Sequence, residues 1–220
     1  MITTNPIIWA DIPDPSVIRV GDVYYMTSTT MYFSPGCPVM KSYDLVNWEI
    51  VNYVYDILDN SDSFTLSNGK SAYGQGSWAS SLRYHNGTFY VAFTANNTGK
   101  TYIFQTEDIE NGPWRKYVID GIYHDMSLLF DDDGRVYMVY GGGTIRVIEL
   151  TSGATAIKLG GLNTVIIENA HITGEGIVAE GSHIYKFNGK YYIFIICWSR
   201  TGTSRRIQTC YVAESIDGSY

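Results

Sequence analysis

The sequence predicts an all-β fold made of four repeated hairpin units. Three observations predict it: a content of 19 tyrosines and 22 glycines in 220 residues, short apolar runs separated by turn residues, and an internal repeat. Aromatic and β-branched residues suit the pleated, half-buried surface of a strand. No segment has the periodicity of a long amphipathic helix, so the repeat is the feature that decides the architecture.

The repeat consists of a strand, a tight turn and a second strand. Its copies are residues 16–26, 81–91, 127–138 and 182–193. Each turn contains glycine, usually beside aspartate or asparagine, as hairpin turns with positive φ require. The last tyrosine of each copy serves as a marker, and Tyr25, Tyr90, Tyr137 and Tyr192 are separated by 65, 47 and 55 residues. Such intervals, with insertions, are typical of the blades of a β-propeller.

Outer strands are predicted after each hairpin, which gives four strands per blade. They are residues 38–41 and 48–51, then 101–105 and 114–118, then 144–149 and 155–158, and a single third strand, 207–213, in the last blade. We expect one domain, 1–220, with blades at about 14–52, 78–119, 125–159 and 180–220. The polar segment Tyr53 to Ser77 is a long insertion of the kind that often lines a binding site.

Composition excludes several other classes of protein. A net charge of -7 opposes binding to nucleic acid. No apolar run is long enough for a membrane span, and we expect neither a membrane anchor nor a signal peptide, although the compartment stays open between secreted, periplasmic and cytoplasmic. Cys37, Cys197 and Cys210 form no CxxC motif, which favours free thiols.

The repeat also aligns residues that are far apart in the chain. In a propeller the first strand of each blade lines the central channel, so the residues just before these strands gather near the axis. Counting back 11 or 12 residues from the four marker tyrosines gives Asp14, Ala79, Asp125 and Glu180. Carboxylates close together repel one another and raise at least one pKa. Three carboxylates in equivalent positions therefore indicate a functional site.

Each carboxylate also has a structural interpretation. Asp14 could accept backbone hydrogen bonds in its proline-flanked turn, Asp125 could form an Asx turn, and Glu180 could be solvated. Only their shared register favours the functional interpretation. The acidic run 131–133 fills a hairpin turn, and we interpret it as solvated turn residues.

Several motifs, taken in order, resemble those of glycoside hydrolase family 43. They are Asn5-Pro-Ile-Ile, Asp14-Pro-Ser-Val-Ile-Arg-Val-Gly-Asp-Val-Tyr-Tyr, Pro35-Gly-Cys-Pro-Val, Ser42-Tyr-Asp-Leu-Val-Asn-Trp, Ser77-Trp-Ala, Phe130-Asp-Asp-Asp-Gly and Glu180-Gly-Ser-His-Ile-Tyr-Lys. The resemblance covers nearly the whole chain. It implies a five-bladed β-propeller, of which about four blades are present here, so we expect the chain to be truncated before the fifth blade.

The resemblance also implies a function and a set of roles. The family inverts configuration while hydrolysing xylose- and arabinose-containing polysaccharides and oligosaccharides, as β-xylosidases and α-L-arabinofuranosidases that act in xylan degradation. Asp14 would be the general base, Glu180 the general acid, and Asp125 the residue that tunes and orients the acid. Substrate contacts are expected at Trp78, Phe33, Ala79 and Arg206, with Trp198 and Arg205 beside the last of these; packing in the core or at a blade edge is the alternative for each.

Further expectations concern cofactors and partners. No metal ligand set is recognised among the four histidines, and catalysis needs no cofactor, although the resemblance leaves room for a structural calcium ion. The expected partner is an oligosaccharide or polysaccharide substrate, together with either the missing C-terminal segment or a second copy of the chain.

Alternative functions remain open. A non-catalytic carbohydrate-binding propeller, or an inactive fragment of such an enzyme, would explain the aromatic residues and the fold, but not three carboxylates in one register. The retaining, sucrose-cleaving propellers are disfavoured because their Asn-Asp-Pro-Asn-Gly opening is absent, and a WD-type interaction propeller because its signatures are missing.

Overall fold

A computed structural model describes residues 5–31, 34–171, 179–198 and 206–220, with the side chain of Trp198 left aside. Within these residues the chain forms fifteen β-strands and a single short 3-10 helix, Asn96–Thr98. They belong to two compact units, Met1–Ile122 and Tyr123–Tyr220. No helix in the described part of the chain is long and apolar enough to cross a membrane.

The first unit contains two antiparallel sheets of four strands each. The first sheet has the order β1 (Ser16–Val20), β2 (Val23–Thr27), β3 (Gly36–Ser42) and β4 (Glu49–Tyr55). The second has the order β5 (Ser81–His85), β6 (Thr88–Ala95), β7 (Lys100–Thr106) and β8 (Arg115–Asp120). Consecutive strands are neighbours, so each sheet is a simple meander.

The second unit also contains two antiparallel meanders. Its first sheet consists of β9 (Ser127–Phe130), β10 (Val136–Gly142), β11 (Thr144–Leu150) and β12 (Asn163–Ile167). Its second sheet consists of β13 (Glu180–Phe187), β14 (Lys190–Trp198) and β15 (Arg206–Ala213). The fourth hairpin therefore has one outer strand among the described residues, as predicted.

The four predicted hairpins are confirmed and share one register with a single exception. In the first three, the marker tyrosine pairs with the second residue after the serine of that copy: Tyr25 with Ile18, Tyr90 with Arg83 and Tyr137 with Leu129. In the fourth, Tyr192 pairs with Tyr185, because a bulge between Glu180 and His183 adds one residue. Asn86-Gly87 and Asn188-Gly189 have positive φ at both positions, the conformation that two-residue hairpins favour.

Buried serines join the two sheets of each unit. In the first unit, Oγ of Ser16 accepts a hydrogen bond of 3.0 Å from the backbone N–H of Leu82. In the second, Oγ of Ser127 accepts one of 2.9 Å from the N–H of Ile184 and donates one of 2.7 Å to the carbonyl of Ser182. The same side chain thus links neighbouring first strands in both units.

A tyrosine, an acid and a lysine make a second inter-sheet contact in each unit. In the first unit, Tyr25 and Lys41 each donate to Glu110, both at 2.7 Å. In the second, Tyr191 donates to Asp131 at 2.6 Å, and Lys186 also forms an ion pair with Asp131. The prediction that residues 131–133 are solvated turn residues is therefore wrong for Asp131, which is 3% exposed, because its partners lie about 55 to 60 residues later.

Two segments differ from their predicted form. The outer strand of the third sheet is β12, which lies after the predicted residues 155–158; these form only an isolated bridge, between Ile157 and Leu150. The insertion after β4 is anchored by the buried side chains of Leu58, Phe64 and Ala72, which belong to the core of the first unit. The insertion is therefore packed against the sheets of its own unit.

Candidate active site

Asp125 lies two residues before Ser127, at the start of β9, and is bonded to the adjoining sheet of the second unit. Its Oδ2 accepts a hydrogen bond of 3.1 Å from the N–H of Gly181, and its backbone carbonyl accepts one of 3.2 Å from Oγ of Ser182. Its φ is +46°, an uncommon conformation for a non-glycine residue. Because Gly181 directly follows Glu180, these bonds hold the backbone of Glu180 beside the carboxylate of Asp125.

His124 brings an imidazole to the same two carboxyl groups. Its Nε2 lies 3.4 Å from Oε2 of Glu180 and 3.6 Å from Oδ2 of Asp125. The side chains of His124 and Glu180 are about one third exposed, at 33% and 30%, whereas that of Asp125 is 12% exposed. Glu180 is therefore accessible to a substrate while Asp125 is mostly enclosed.

The backbone next to Asp125 and Glu180 is held by hydrogen bonds from the loop at the end of β10. The N–H of Gly141 donates to the carbonyl of His124 at 3.0 Å, and the N–H of Gly143 donates to the carbonyl of Ala179 at 2.8 Å. A side chain at Gly141 would meet the carbonyl oxygen of Thr144 at 2.2 Å, so glycine is required there. One loop thus positions the residues preceding both Asp125 and Glu180.

The site places one imidazole and two carboxyl groups close together. The ligand atoms of His124, Asp125 and Glu180 lie within 4.8 Å of one another, which would suit a metal ion. One imidazole and two carboxylates do not match the six to eight oxygen ligands of Ca²⁺, so these three residues do not suit calcium.

Asp14, in the first unit, is held in a similar backbone conformation. It lies two residues before Ser16, its φ is +48°, and its Oδ2 accepts a hydrogen bond of 2.8 Å from Oγ of Thr29. The N–H of Thr29 donates to the carbonyl of Pro13 at 3.2 Å. Thr29 therefore fixes both the side chain and the preceding peptide of Asp14, which is otherwise exposed.

Trp78 and Ala79 directly follow Ser77, which is hydrogen-bonded to Thr30, the residue after Thr29. Thr30 and Ser77 exchange two backbone hydrogen bonds, at 2.9 and 3.0 Å, and the N–H of Trp78 donates to the carbonyl of Thr94 at 2.9 Å. Thr29 and Thr30 thus connect Asp14 to the segment that carries Trp78. Both Trp78 and Ala79 are partly exposed, so the structure brings three predicted site residues to the same part of the first unit.

A cavity of about 360 Å³ adjoins this region of the first unit. Its lining includes Pro13, Thr29, Thr30, Met31 and Tyr53. The volume lies in the range of small-molecule pockets. The cavity therefore provides room for a ligand group close to the residues that anchor Asp14.

The remaining predicted contacts are only partly described. Arg206 begins β15 and is exposed. The register pairs Glu180 with Ile196 and Ile196 with Gln208, so Arg206 lies two strands across from Glu180 and two residues farther along. Phe33 and Arg205, like the side chain of Trp198, lie outside the described residues.

Sequence reasoning missed His124 and Thr29. In the sequence His124 is one of four histidines without a metal-ligand spacing, and Thr29 belongs to no motif. The signal for His124 was its position next to Asp125. Thr29 lies 15 residues from Asp14 and is identified only through the pairing of β1 with β2.

The second unit carries two carboxyl groups beside an imidazole, and the first unit carries a carboxyl group in the equivalent position before its first strand. Such groups can act as general acids and bases. A comparison with family models agrees with this description. The model of the glycosyl hydrolases of family 43 matches residues 3–220, and the chain belongs to that family.

Known proteins support the assignment over most of the chain. This chain is 29% identical to a beta-xylosidase of Formosa agariphila, over 89% of this chain and 34% of the relative. It is 34% identical to a non-reducing end alpha-L-arabinofuranosidase of Bacteroides ovatus over 86% of this chain and 35% of the relative. A solved structure described as a bifunctional GH43-CE protein of Bacteroides eggerthii has 49% identity and a TM-score of 0.91, covering 99% of this chain and 28% of that one.

Two conclusions follow from these comparisons. The predicted fold class, an all-β chain of β-propeller type with about four blades present, is confirmed, since its four meander sheets match a solved family member throughout. The chain spans about a third of the length of the curated relatives it matches.

Proposed function

We propose that the chain carries the catalytic residues of an inverting glycoside hydrolase. Its substrates would be xylose- or arabinose-containing oligosaccharides or polysaccharides, cleaved as by a β-xylosidase, an α-L-arabinofuranosidase or both. The observation that carries the proposal is the pairing of Asp125 with the Glu180 segment through Gly181, with His124 against both carboxyl groups. The names of the relatives support the substrate class.

In the proposed reaction Glu180 is the general acid and Asp14 the general base. Glu180 transfers its proton to the glycosidic oxygen as the bond to the anomeric carbon breaks. Asp14 accepts a proton from the water that attacks that carbon from the opposite face. Inverting enzymes keep these two carboxyl groups roughly 6.5–9.5 Å apart so that the water fits between them.

Asp125 supports the acid in this mechanism. Its carboxylate is an anion next to the backbone of Glu180 and orients the acid. Its bonds to Gly181 and Ser182 keep that anion in place. Asp125 thus acts through Glu180 and not on the sugar itself.

Substrate contacts are proposed at Trp78, Ala79, Phe33 and Arg206. The partial exposure of Trp78 and Ala79, next to a segment joined to Asp14 through Thr29 and Thr30, supports the first two. The exposed position of Arg206 at the Glu180 end of its sheet supports the fourth. A planar aromatic ring would cover the apolar face of a pentose.

Cofactors and further partners complete the proposal. The acid–base mechanism uses only carboxyl groups and water, so hydrolysis requires no organic cofactor; a structural calcium ion would have to be held by other residues than His124, Asp125 and Glu180. Additional chain or a second copy would cover the last sheet, where Phe187 is 66% exposed, Tyr185 44% and Val212 42%. A carbohydrate-binding module without activity remains the competing function.

The test is hydrolysis of p-nitrophenyl β-xyloside and p-nitrophenyl α-arabinofuranoside. Wild type, Asp14→Asn and Glu180→Gln are compared, each both as the 220-residue chain and as the full reading frame that contains it. Asp22→Asn and Glu168→Gln, which change exposed acids of the same types, are the matched controls. We expect the two site variants to lose at least about 100-fold in kcat, the range of general acid–base catalysis, and the controls to keep wild-type rates.

The ratio of rates on the two substrates identifies the sugar. An anomeric product of inverted configuration, observed by proton NMR within the first turnovers, supports the mechanism. Absence of activity in every form, or equal activity in Glu180→Gln, would contradict the proposed function and favour the binding module.

A further inference from the structure

We infer that His124 is a positioning residue that decides which oxygen of Glu180 carries the catalytic proton. The inference rests on the proposed function, because it assumes that Glu180 is the general acid. It starts from a division of contacts in the second unit: Asp125 is bonded to the backbone beside Glu180, whereas His124 Nε2 lies 3.4 Å from the carboxyl oxygen Oε2. His124 is thus in contact with the reacting group itself.

The direction of this contact has a chemical consequence. When Nε2 carries a hydrogen, it donates to Oε2, and a carboxyl oxygen that accepts this bond is the unprotonated one of the pair. The proton of the acid form then resides on Oε1. During cleavage the Oε1–H bond breaks, the proton bonds to the glycosidic oxygen, and the electron pair of the anomeric C–O bond passes to that oxygen. His124 gains and loses no proton.

The contact also fixes the side-chain geometry of Glu180. Its side chain is 30% exposed and has three rotatable bonds, so without a partner its carboxyl group would sample several orientations. His124 is restrained at its own backbone by Gly141, and its Nε2 lies 3.6 Å from the mostly enclosed Asp125. The loop after β10 therefore holds the imidazole, and the imidazole in turn restrains the carboxyl group of Glu180. This restraint preorganises proton transfer.

The experiment compares substrates that differ in their need for an acid. Phenyl β-xyloside requires protonation of its leaving group, whereas 2,4-dinitrophenyl β-xyloside does not, because its phenolate is stable; the corresponding arabinofuranosides are used if that is the preferred sugar. The variants are His124→Ala, His124→Gln and Glu180→Ala, made in the active form of the protein. His85→Gln, at a hairpin turn of the first unit, is the matched control.

We expect His124→Ala to lower kcat/KM on the phenyl glycoside by roughly tenfold or more, a fraction of the full general-acid effect, and on the dinitrophenyl glycoside by less than about threefold. His124→Gln should recover much of the loss, because the glutamine amide can place an N–H near the position of Nε2. His85→Gln should match wild type on both substrates.

The outcomes separate the inference from the function on which it rests. If Glu180→Ala loses both substrates equally, the role of Glu180 as acid is wrong. If Glu180→Ala is selective for the phenyl glycoside but His124→Ala lowers both rates equally, or neither, the positioning role is overturned while the function stands. The ¹⁵N shifts of His124 provide a readout apart from activity: we expect a protonated Nε2, and an unprotonated Nε2 with hydrogen on Nδ1 would contradict the inference.

Discussion

The backbone N–H of Gly181 donates a hydrogen bond to Oδ2 of Asp125 at 3.1 Å. The two residues are 56 positions apart in the chain, and the bond joins the turn before β9 to the start of β13. It gives Asp125 a structural task besides its electrostatic one. The two tasks can be separated with two substitutions: one that keeps the hydrogen-bond acceptor but removes the charge, and one that removes both.

Asp125→Asn should keep the acceptor and remove the charge, whereas Asp125→Ala should remove both. We expect the alanine variant to lower the free energy of unfolding by about 1.5–3 kcal/mol, as for a hydrogen bond to a charged group, and the asparagine variant to lower it by much less. Urea unfolding measures both. Equal stability of the alanine variant and wild type would contradict a structural role for this bond.

Ser127→Ala should destabilise the second unit. The substitution leaves the buried N–H of Ile184 and the carbonyl of Ser182 without the partner they have now, at a cost of roughly 1–3 kcal/mol. Ser152→Ala, an exposed serine of the same unit, is the matched control and should change the urea midpoint little. A midpoint for Ser127→Ala as high as that of the control would show that the link contributes nothing.

Glu110→Gln should make stability less dependent on acidic pH. The hydrogen bond from Lys41, followed by that from Tyr25, holds the pKa of Glu110 below its usual range. Ionised Glu110 therefore stabilises the fold above the ordinary pKa of about 4.3, and this contribution is lost as the pH falls through the lower folded pKa. We expect a loss of about 1 kcal/mol at pH 7 that shrinks towards pH 3. Urea unfolding at both pH values checks this, and a constant difference would refute it.

Lys186→Met alone should lower the free energy of unfolding more than Lys186→Met combined with Asp131→Asn. The single substitution leaves the Asp131 carboxylate, whose side chain is 1% exposed, without its cation; breaking buried ion pairs in this way costs about 3–5 kcal/mol. The Asp131→Asn change removes the buried charge but retains an acceptor for Tyr191. A double-mutant cycle of unfolding free energies measures the coupling, and additive losses would argue against an ion pair of this strength.

The parts of the fold that the sequence predicted are those determined locally. Turn residues such as Asn86-Gly87 adopt positive φ at both positions. The alternation of inward- and outward-facing side chains along the flanking strands then sets the hairpin register. The equivalent positions of Asp14, Asp125 and Glu180 follow from those hairpins, since each lies two residues before a serine of the repeat.

The parts that were missed depend on contacts distant in the chain. Asp131 resembles any acidic turn residue until Lys186 and Tyr191 are brought to it. The strand β12 and the segment 155–158 are both short, and only the pairing of Val165 with Arg146 and its neighbours distinguishes them. His124 carries no local pattern that relates it to Glu180.

The serine link in the second unit makes one amide a reporter of sheet separation. The N–H of Ile184 is bonded to the Oγ of Ser127, across the boundary of two sheets, and Ile184 is 0% exposed. Its exchange with deuterium therefore requires the sheets to part, whereas amides paired within β13 and β14 exchange when that hairpin opens. The ratio of the two exchange rates compares the cohesion between sheets with the stability within one.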